Sequence, residues 1–226
     1  MGAVLLVCLV GEARLQAGEP TYRGKGVNYW ISALSSSEVE EVVRASTALV
    51  SMRGDAVPYL VRALQGSDAR DRIQMMNVLS AIGPSASTAL PVIVGLLDDP
   101  ASNIRVAAAS SLVAIDRGSV DRALPVLIEG LRNEPQTASM AAMAIGSLRQ
   151  KGAPAVPSLI AVLEEGSEEA VRIEAARALW KIGPAAKAAI PALESAVQRG
   201  GPLASAAAVA LETVKVVPGS PDEMRK

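Results

Sequence analysis

Proline, bulky aliphatic and polar positions return along this chain with a long, regular period. Five segments carry a proline followed two places later by leucine or isoleucine: Pro58-Tyr59-Leu60, Pro91-Val92-Ile93, Pro125-Val126-Leu127, Pro157-Ser158-Leu159 and Pro191-Ala192-Leu193. Successive prolines lie 33, 34, 32 and 34 residues apart, and six places after them stand Leu64, Leu97, Leu131, Leu163 and Val197. Positions two and six after the proline fall on one stripe of a helix. Each segment therefore predicts a helix with proline in its first turn and one apolar face turned inward. A period of this length marks a stack of repeated helical units.

Between these helices the pattern predicts a second, alanine-rich helix in each repeat, such as Ile104 to Ile115 and Val171 to Ile182. Ile82-Gly83-Pro84 and Ile182-Gly183-Pro184 end two of them, with glycine where the backbone must turn and proline to block continuation. Asp99-Pro100, Glu134-Pro135 and Gly201-Pro202 mark starts, and Ser167-Glu168-Glu169 reads as a capped acidic first turn. The predicted helices are 27–35, then the pairs 37–52/55–66, 68–82/85–98, 101–115/119–132, 136–149/153–165 and 168–182/186–198, then 202–216. No strand pattern competes. The fold class is all-α: a right-handed α-solenoid of about five two-helix repeats with terminal half-repeats, over residues 27–216. Residues 18–26 read as a linker and 217–226 as a disordered tail.

The recurring block of Arg, Ala-Ala, Leu, Ile-Gly-Pro and Pro-x-Leu resembles HEAT-like repeats, of the short bacterial kind grouped with phycobilin-lyase repeats. The lead-in Tyr22-Arg23-Gly24-Lys25-Gly26-Val27-Asn28-Tyr29-Trp30 is similar to the start of exported bacterial repeat proteins of this sort. The resemblance implies the solenoid fold. It says little about activity, because such arrays serve as scaffolds, inhibitors, lyases and occasional enzymes. Three repeats depart from the pattern. The first has a shorter turn at Met52-Arg53-Gly54-Asp55, the third has Asp116-Arg117-Gly118 in place of Gly-Pro, and the fourth lacks the arginine and carries Met140 and Met143.

Composition agrees with thin, closely stacked helices. Half of the 226 residues are hydrophobic, yet only 2% are aromatic, and about 40 alanines supply much of the apolar count. With no histidine and a single cysteine, Cys8, the chain cannot build a Ser-His-Asp triad, a Cys-His dyad, an imidazole-ligated metal site or an intrachain disulfide. A net charge of −1 gives no electrostatic footprint for nucleic acid. Residues 2–10 are an unbroken apolar run, too short to span a membrane, that reads as the core of a signal peptide over 1–17. The expected location is then periplasmic or extracellular, and cytoplasmic if the leader reading fails. No basic residue precedes the run, so Met1 need not be the natural start. An apolar N-terminal segment packed on the first repeat is the alternative.

Several residues invite a functional reading. Arg72, Arg105 and Arg172 recur at one position and are expected to pair with Gln65, Asp98 and Glu164, linking repeats. Tyr22, Tyr29 and Trp30 read as a lid on the open first repeat, or as a recognition patch. Trp180 is expected to pack between repeats. The carboxylates at Asp98/Asp99 and around Glu164 to Glu169 suit helix starts better than acid–base chemistry. In such solenoids the second helices usually line the concave face. Positions one, four and eight after each proline then form three rows, and the candidate protein-binding residues are Tyr59, Arg62, Val92, Val126, Glu129, Ser158, Glu165, Ser195 and Arg199. Two readings of the first row stay open, a shallow groove for a protein segment or completion of the core. The expected function is a non-catalytic, monomeric scaffold with a protein or peptide partner, no cofactor, no metal, no nucleic acid and no membrane span. The alternatives are a bilin-lyase-like enzyme or accessory subunit, and a DNA-binding scaffold.

Overall fold

A two-residue turn with both residues at positive φ lies near the start of the described chain. In the computed structural model, which describes residues 18–216, Arg23 (φ 50°) and Gly24 (φ 75°) join strand β1, Thr21–Tyr22, to strand β2, Lys25–Gly26. The strands are antiparallel, with Thr21 opposite Gly26 and Tyr22 opposite Lys25. Paired positive φ values match the twist of a tight hairpin. Part of the predicted linker is thus a hairpin, too short for any alternation of apolar and polar residues to betray it. The predicted leader, Cys8 within it and the predicted tail lie outside the described residues.

The helices follow in the predicted order. They are α1 (Val27–Ala33), α2 (Val39–Met52), α3 (Val57–Leu64), α4 (Ala69–Ile82), α5 (Leu90–Gly95), α6 (Ser102–Ile115), α7 (Val120–Gly130), α8 (Pro135–Ser147), α9 (Val156–Glu165), α10 (Glu169–Ile182), α11 (Ile190–Arg199) and α12 (Gly201–Val214). Short 3-10 turns connect the two helices of each repeat, the longest spanning Gly83–Ala89, Arg149–Ala155 and Gly183–Ala189. Gly83 and Gly183 turn the chain at φ 66° and 73°. Arg53 and Arg149 occupy the corresponding places at φ 51° and 53°, a region that L side chains rarely adopt.

Local chemistry explains most boundaries. Asp68 caps α4 by accepting a hydrogen bond from the Asp71 amide (2.9 Å). Pro135 and Pro202 stand in the first turns of α8 and α12, as expected. The predicted cap of α10 is different: Glu168 is the N-cap and no side-chain bond forms there. Pro100 precedes α6, whose N-cap is Ala101. In the third repeat Asp116 makes its own turn, accepting from the Gly118 amide and the Ser119 hydroxyl. Helix α7 then begins at Val120, so Pro125 lies in its interior and withholds one helical hydrogen bond from Asp121.

The described chain divides into two compact units, 18–119 and 120–216. In the first, α2, α4 and α6 stack in sequence, with α1, α3 and α5 packed beside them. Leu49, Leu60, Met76, Leu79, Ile93, Ile104 and Leu112 are fully buried there. Between α4 and α6 the buried Ser111 hydroxyl donates to Ala107 O (2.8 Å) and accepts from Ser80 (2.8 Å), so its polar atom is satisfied.

In the second unit α8, α10 and α12 stack through Ala141, Ala142, Ala175, Ala176, Ala178, Ala207 and Ala210, all buried. Leu127, Ile145, Leu159, Leu163, Leu179 and Leu193 fill the space toward α7, α9 and α11. Small side chains set a short axial separation, and Gly146 shows how short. A Cβ added there would lie 3.0 Å from Ala178 Cα and 3.2 Å from Lys181 Cδ. The stretch Ala69–Asp98 is long and apolar enough by composition to cross a membrane, but the backbone turns inside it at Gly83.

Candidate protein-binding surface

The second helix of each repeat buries the aliphatic stripe predicted for it. Leu60, Ile93, Leu127, Leu159 and Leu193 have no accessible surface, and Leu64, Leu97, Leu131 and Leu163 are buried as well. Val197 is the exception, with 36% of its surface exposed. It belongs to the last such helix among the described residues.

The three predicted rows differ in depth. In the first row Tyr59, Val92, Val126 and Ser158 are half-buried, and Ala192 is buried. Each of the first four shares its surface between core and solvent. The second row lies further out: Arg62, Gly95, Glu129, Ala161 and Ser195 all reach solvent. In the third row Gly66, Glu165 and Arg199 are exposed, while Asp99 and Asn133 are half-buried. Of the predicted residues, Tyr59, Arg62 and Val92 lie in the first unit, and Val126, Glu129, Ser158, Glu165, Ser195 and Arg199 in the second. Within each unit a half-buried first row borders polar positions open to solvent.

Asp99 is committed elsewhere. Its Oδ2 accepts from Arg72 Nη1 at 2.9 Å, and its Oδ1 accepts from the Ala101 amide at 2.9 Å. This also corrects the expected arginine partners. Arg72 reaches forward to the turn before α6 instead of back to Gln65. Arg105 donates to the carbonyl oxygens of Asp99 (2.9 Å) and Pro100 (3.0 Å), where Asp98 was expected. Arg172 packs its stem on Gly166 and buries Nε without a hydrogen-bond partner, where Glu164 was expected. A side chain at a helix start can reach the turn ahead as readily as the helix behind, and nothing in local spacing distinguishes them.

The N-terminal aromatics separate by burial. Trp30 is buried, its Nε1 donating to Tyr22 O at 3.3 Å, with the Tyr22 ring edge-on at 6.2 Å. Tyr29 keeps 43% of its surface, and its hydroxyl accepts from Lys25 Nζ at 2.6 Å. Glu19 braces the arrangement by accepting from the Asn28 amide at 2.8 Å. Trp180 keeps 43% of its surface on α10, so it is not enclosed between repeats as expected. Among the described residues no three acidic, histidine or cysteine side chains converge as metal ligands would.

Charge at the turns is a feature that the repeat pattern leaves out. From Pro135 to Leu163 and from Ala175 to Leu193 the sequence has no acidic residue but carries Arg149, Lys151, Arg177, Lys181 and Lys187. The gap in acids was visible in the sequence. That the two basic turns touch was not.

Comparison with known proteins bears on the fold. No curated protein matches the chain. The complex of CpcE and CpcF of phycocyanin lyase from Nostoc sp. PCC7120 superposes with a TM-score of 0.54 at 24% identity, over 67% of this chain and 96% of that one. A crystallised mutant of Kap121p superposes with a TM-score of 0.61 at 21% identity, over 83% of this chain but only 23% of that one. At such identities the likeness is one of architecture, an all-α solenoid. In sequence, residues 57–138 and 124–212 match the family described as HEAT repeats, and with its paired, proline-marked helices the chain belongs to that family.

Proposed function

We propose that this HEAT-repeat protein is a non-catalytic scaffold that receives a protein or peptide segment on the face formed by its second helices. The observation that supports this most is the graded exposure of the rows within each unit. In the first, half-buried Tyr59 and Val92 border Arg62; in the second, half-buried Val126 and Ser158 border Glu129 and Ser195. An apolar strip with a polar, wet margin is the anatomy of a protein interface. Stacked repeats offer such a face at regular intervals without any single pocket.

Val126→Glu places a charge in the strip of the second unit at a half-buried site. A pull-down with the full chain is expected to recover a partner that the Val126→Glu protein fails to recover, with equal helical circular dichroism for both. Equal recovery by both would sink the reading. The solved lyase complex motivates a second reading, a bilin-lyase-like enzyme or subunit, and a separate assay addresses it. Titration with an open-chain bilin is expected to leave the pigment's absorption spectrum unchanged if the chain acts as a scaffold alone. A shifted spectrum would favour the lyase reading.

A further inference from the structure

We infer that the turns at one edge of the second unit form a docking site for an acidic peptide segment of a partner protein. Arg149 stands on the turn Arg149–Ala155, Lys187 on the turn Gly183–Ala189, and Lys181 at the end of α10 just before it. All three are exposed. The two turns pack against each other, and the stem of Lys181 lies over Gly146, three residues before the first turn begins. Two turns from successive repeats thus bring their cations to one edge.

No acidic residue occurs in 135–163 or 175–193. Neighbouring α7 carries one cation, Arg122, against Asp121 and Glu129. The edge therefore concentrates positive charge in a chain whose net charge is −1.

The size and setting of the patch select among anionic partners. Glu164, Glu165, Glu168 and Glu169 are exposed at the far end of α9 and the start of α10, about 15 Å away along a ten-residue helix. A membrane surface or a nucleic-acid duplex wide enough to cover both edges would meet those glutamates and be repelled. A short acidic segment touches the basic edge alone. The site lies on the turns and does not depend on the rows proposed above.

The test uses the full chain and a fluorescein-labelled peptide of alternating glutamate and serine, with a lysine–serine peptide as its counterpart. Anisotropy is expected to show binding of the acidic peptide only, weakened at least tenfold between about 50 and about 300 mM salt as screening shortens the reach of the charges. The double variant Arg149→Gly, Lys187→Glu is expected to weaken binding at least tenfold with unchanged circular dichroism. Arg62→Glu and Val126→Glu, both on the rows, are expected to leave it unaltered, which separates this site from the proposed groove. Three outcomes would overturn the inference: equal affinity in the double variant, tighter binding to anionic phosphatidylserine vesicles than to the peptide, or self-association of the chain that the double variant abolishes. The last would assign the edge to the glutamates of a second copy.

Discussion

Arg53 and Arg149, like Arg23, are at odds with their backbone. Arg53 caps α2 at φ 51°, ψ −132°, a conformation suited to glycine, and Gly83 holds φ 66°, ψ −140° at the same place in the next repeat. Positive φ costs an L residue roughly 1 kcal/mol relative to glycine, offset in part by the greater flexibility of glycine when unfolded. Arg53→Gly is therefore expected to leave stability unchanged or raise it by up to about 1 kcal/mol, read from urea denaturation. A loss of more than that would mean the Arg53 side chain holds the turn. Gly95 presents the opposite case. It sits in ordinary helical geometry, and an alanine methyl there would meet nothing within 4 Å, so Gly95→Ala is expected to add about 0.5–1 kcal/mol.

At the scale of elements, the second unit depends on how closely α8 and α10 approach. Gly146→Val would drive a branched side chain into Ala178 and the stem of Lys181, at a contact already 3.0 Å for a single carbon. Overpacking of this kind typically costs about 1–3 kcal/mol, and a lowered urea midpoint with an unchanged slope would register it. In the first unit, Arg72 and Asp99 tie α4 to the turn before α6 across 27 residues of sequence. Their side chains are 24% and 10% exposed. Asp99→Ala removes both the ion pair and the bond to the Ala101 amide, with an expected loss of about 1.5–3 kcal/mol. A double-mutant cycle with Arg72→Ala measures the pair itself, and a coupling energy near zero would show that the turn, not the ion pair, carries the effect.

At the scale of the molecule, the repeat explains both the shortage of aromatic residues and the character of the candidate surface. Each layer packs only on its neighbours, so alanine between first helices and leucine beneath second helices suffice where a globular core would need larger side chains. The residues one and four places after each proline are then carried outward at every repeat, which is why Tyr59, Val92 and Val126 share the same depth in their units. Among the predicted site residues, their positions on the second helices were legible because helical spacing from a fixed proline determines the face. Their partners were not legible. Asp99 stood in the predicted third row, yet it is held by Arg72, because pairing depends on which turn the fold brings within reach.

Proline, glycine and alanine act on the backbone within a few residues, and through them the sequence by itself determined the helices, their order and the buried aliphatic stripes. Composition alone also ruled out histidine chemistry and an intrachain disulfide. Tertiary structure decided what depends on neighbours distant along the chain. It paired Arg72 with Asp99, left Val197 partly exposed, and set α8 against α10 at Gly146. It also joined two turns, each modest in charge, into one basic edge. Charge and contact add up in space, and the distances that govern them are created only when the repeats stack.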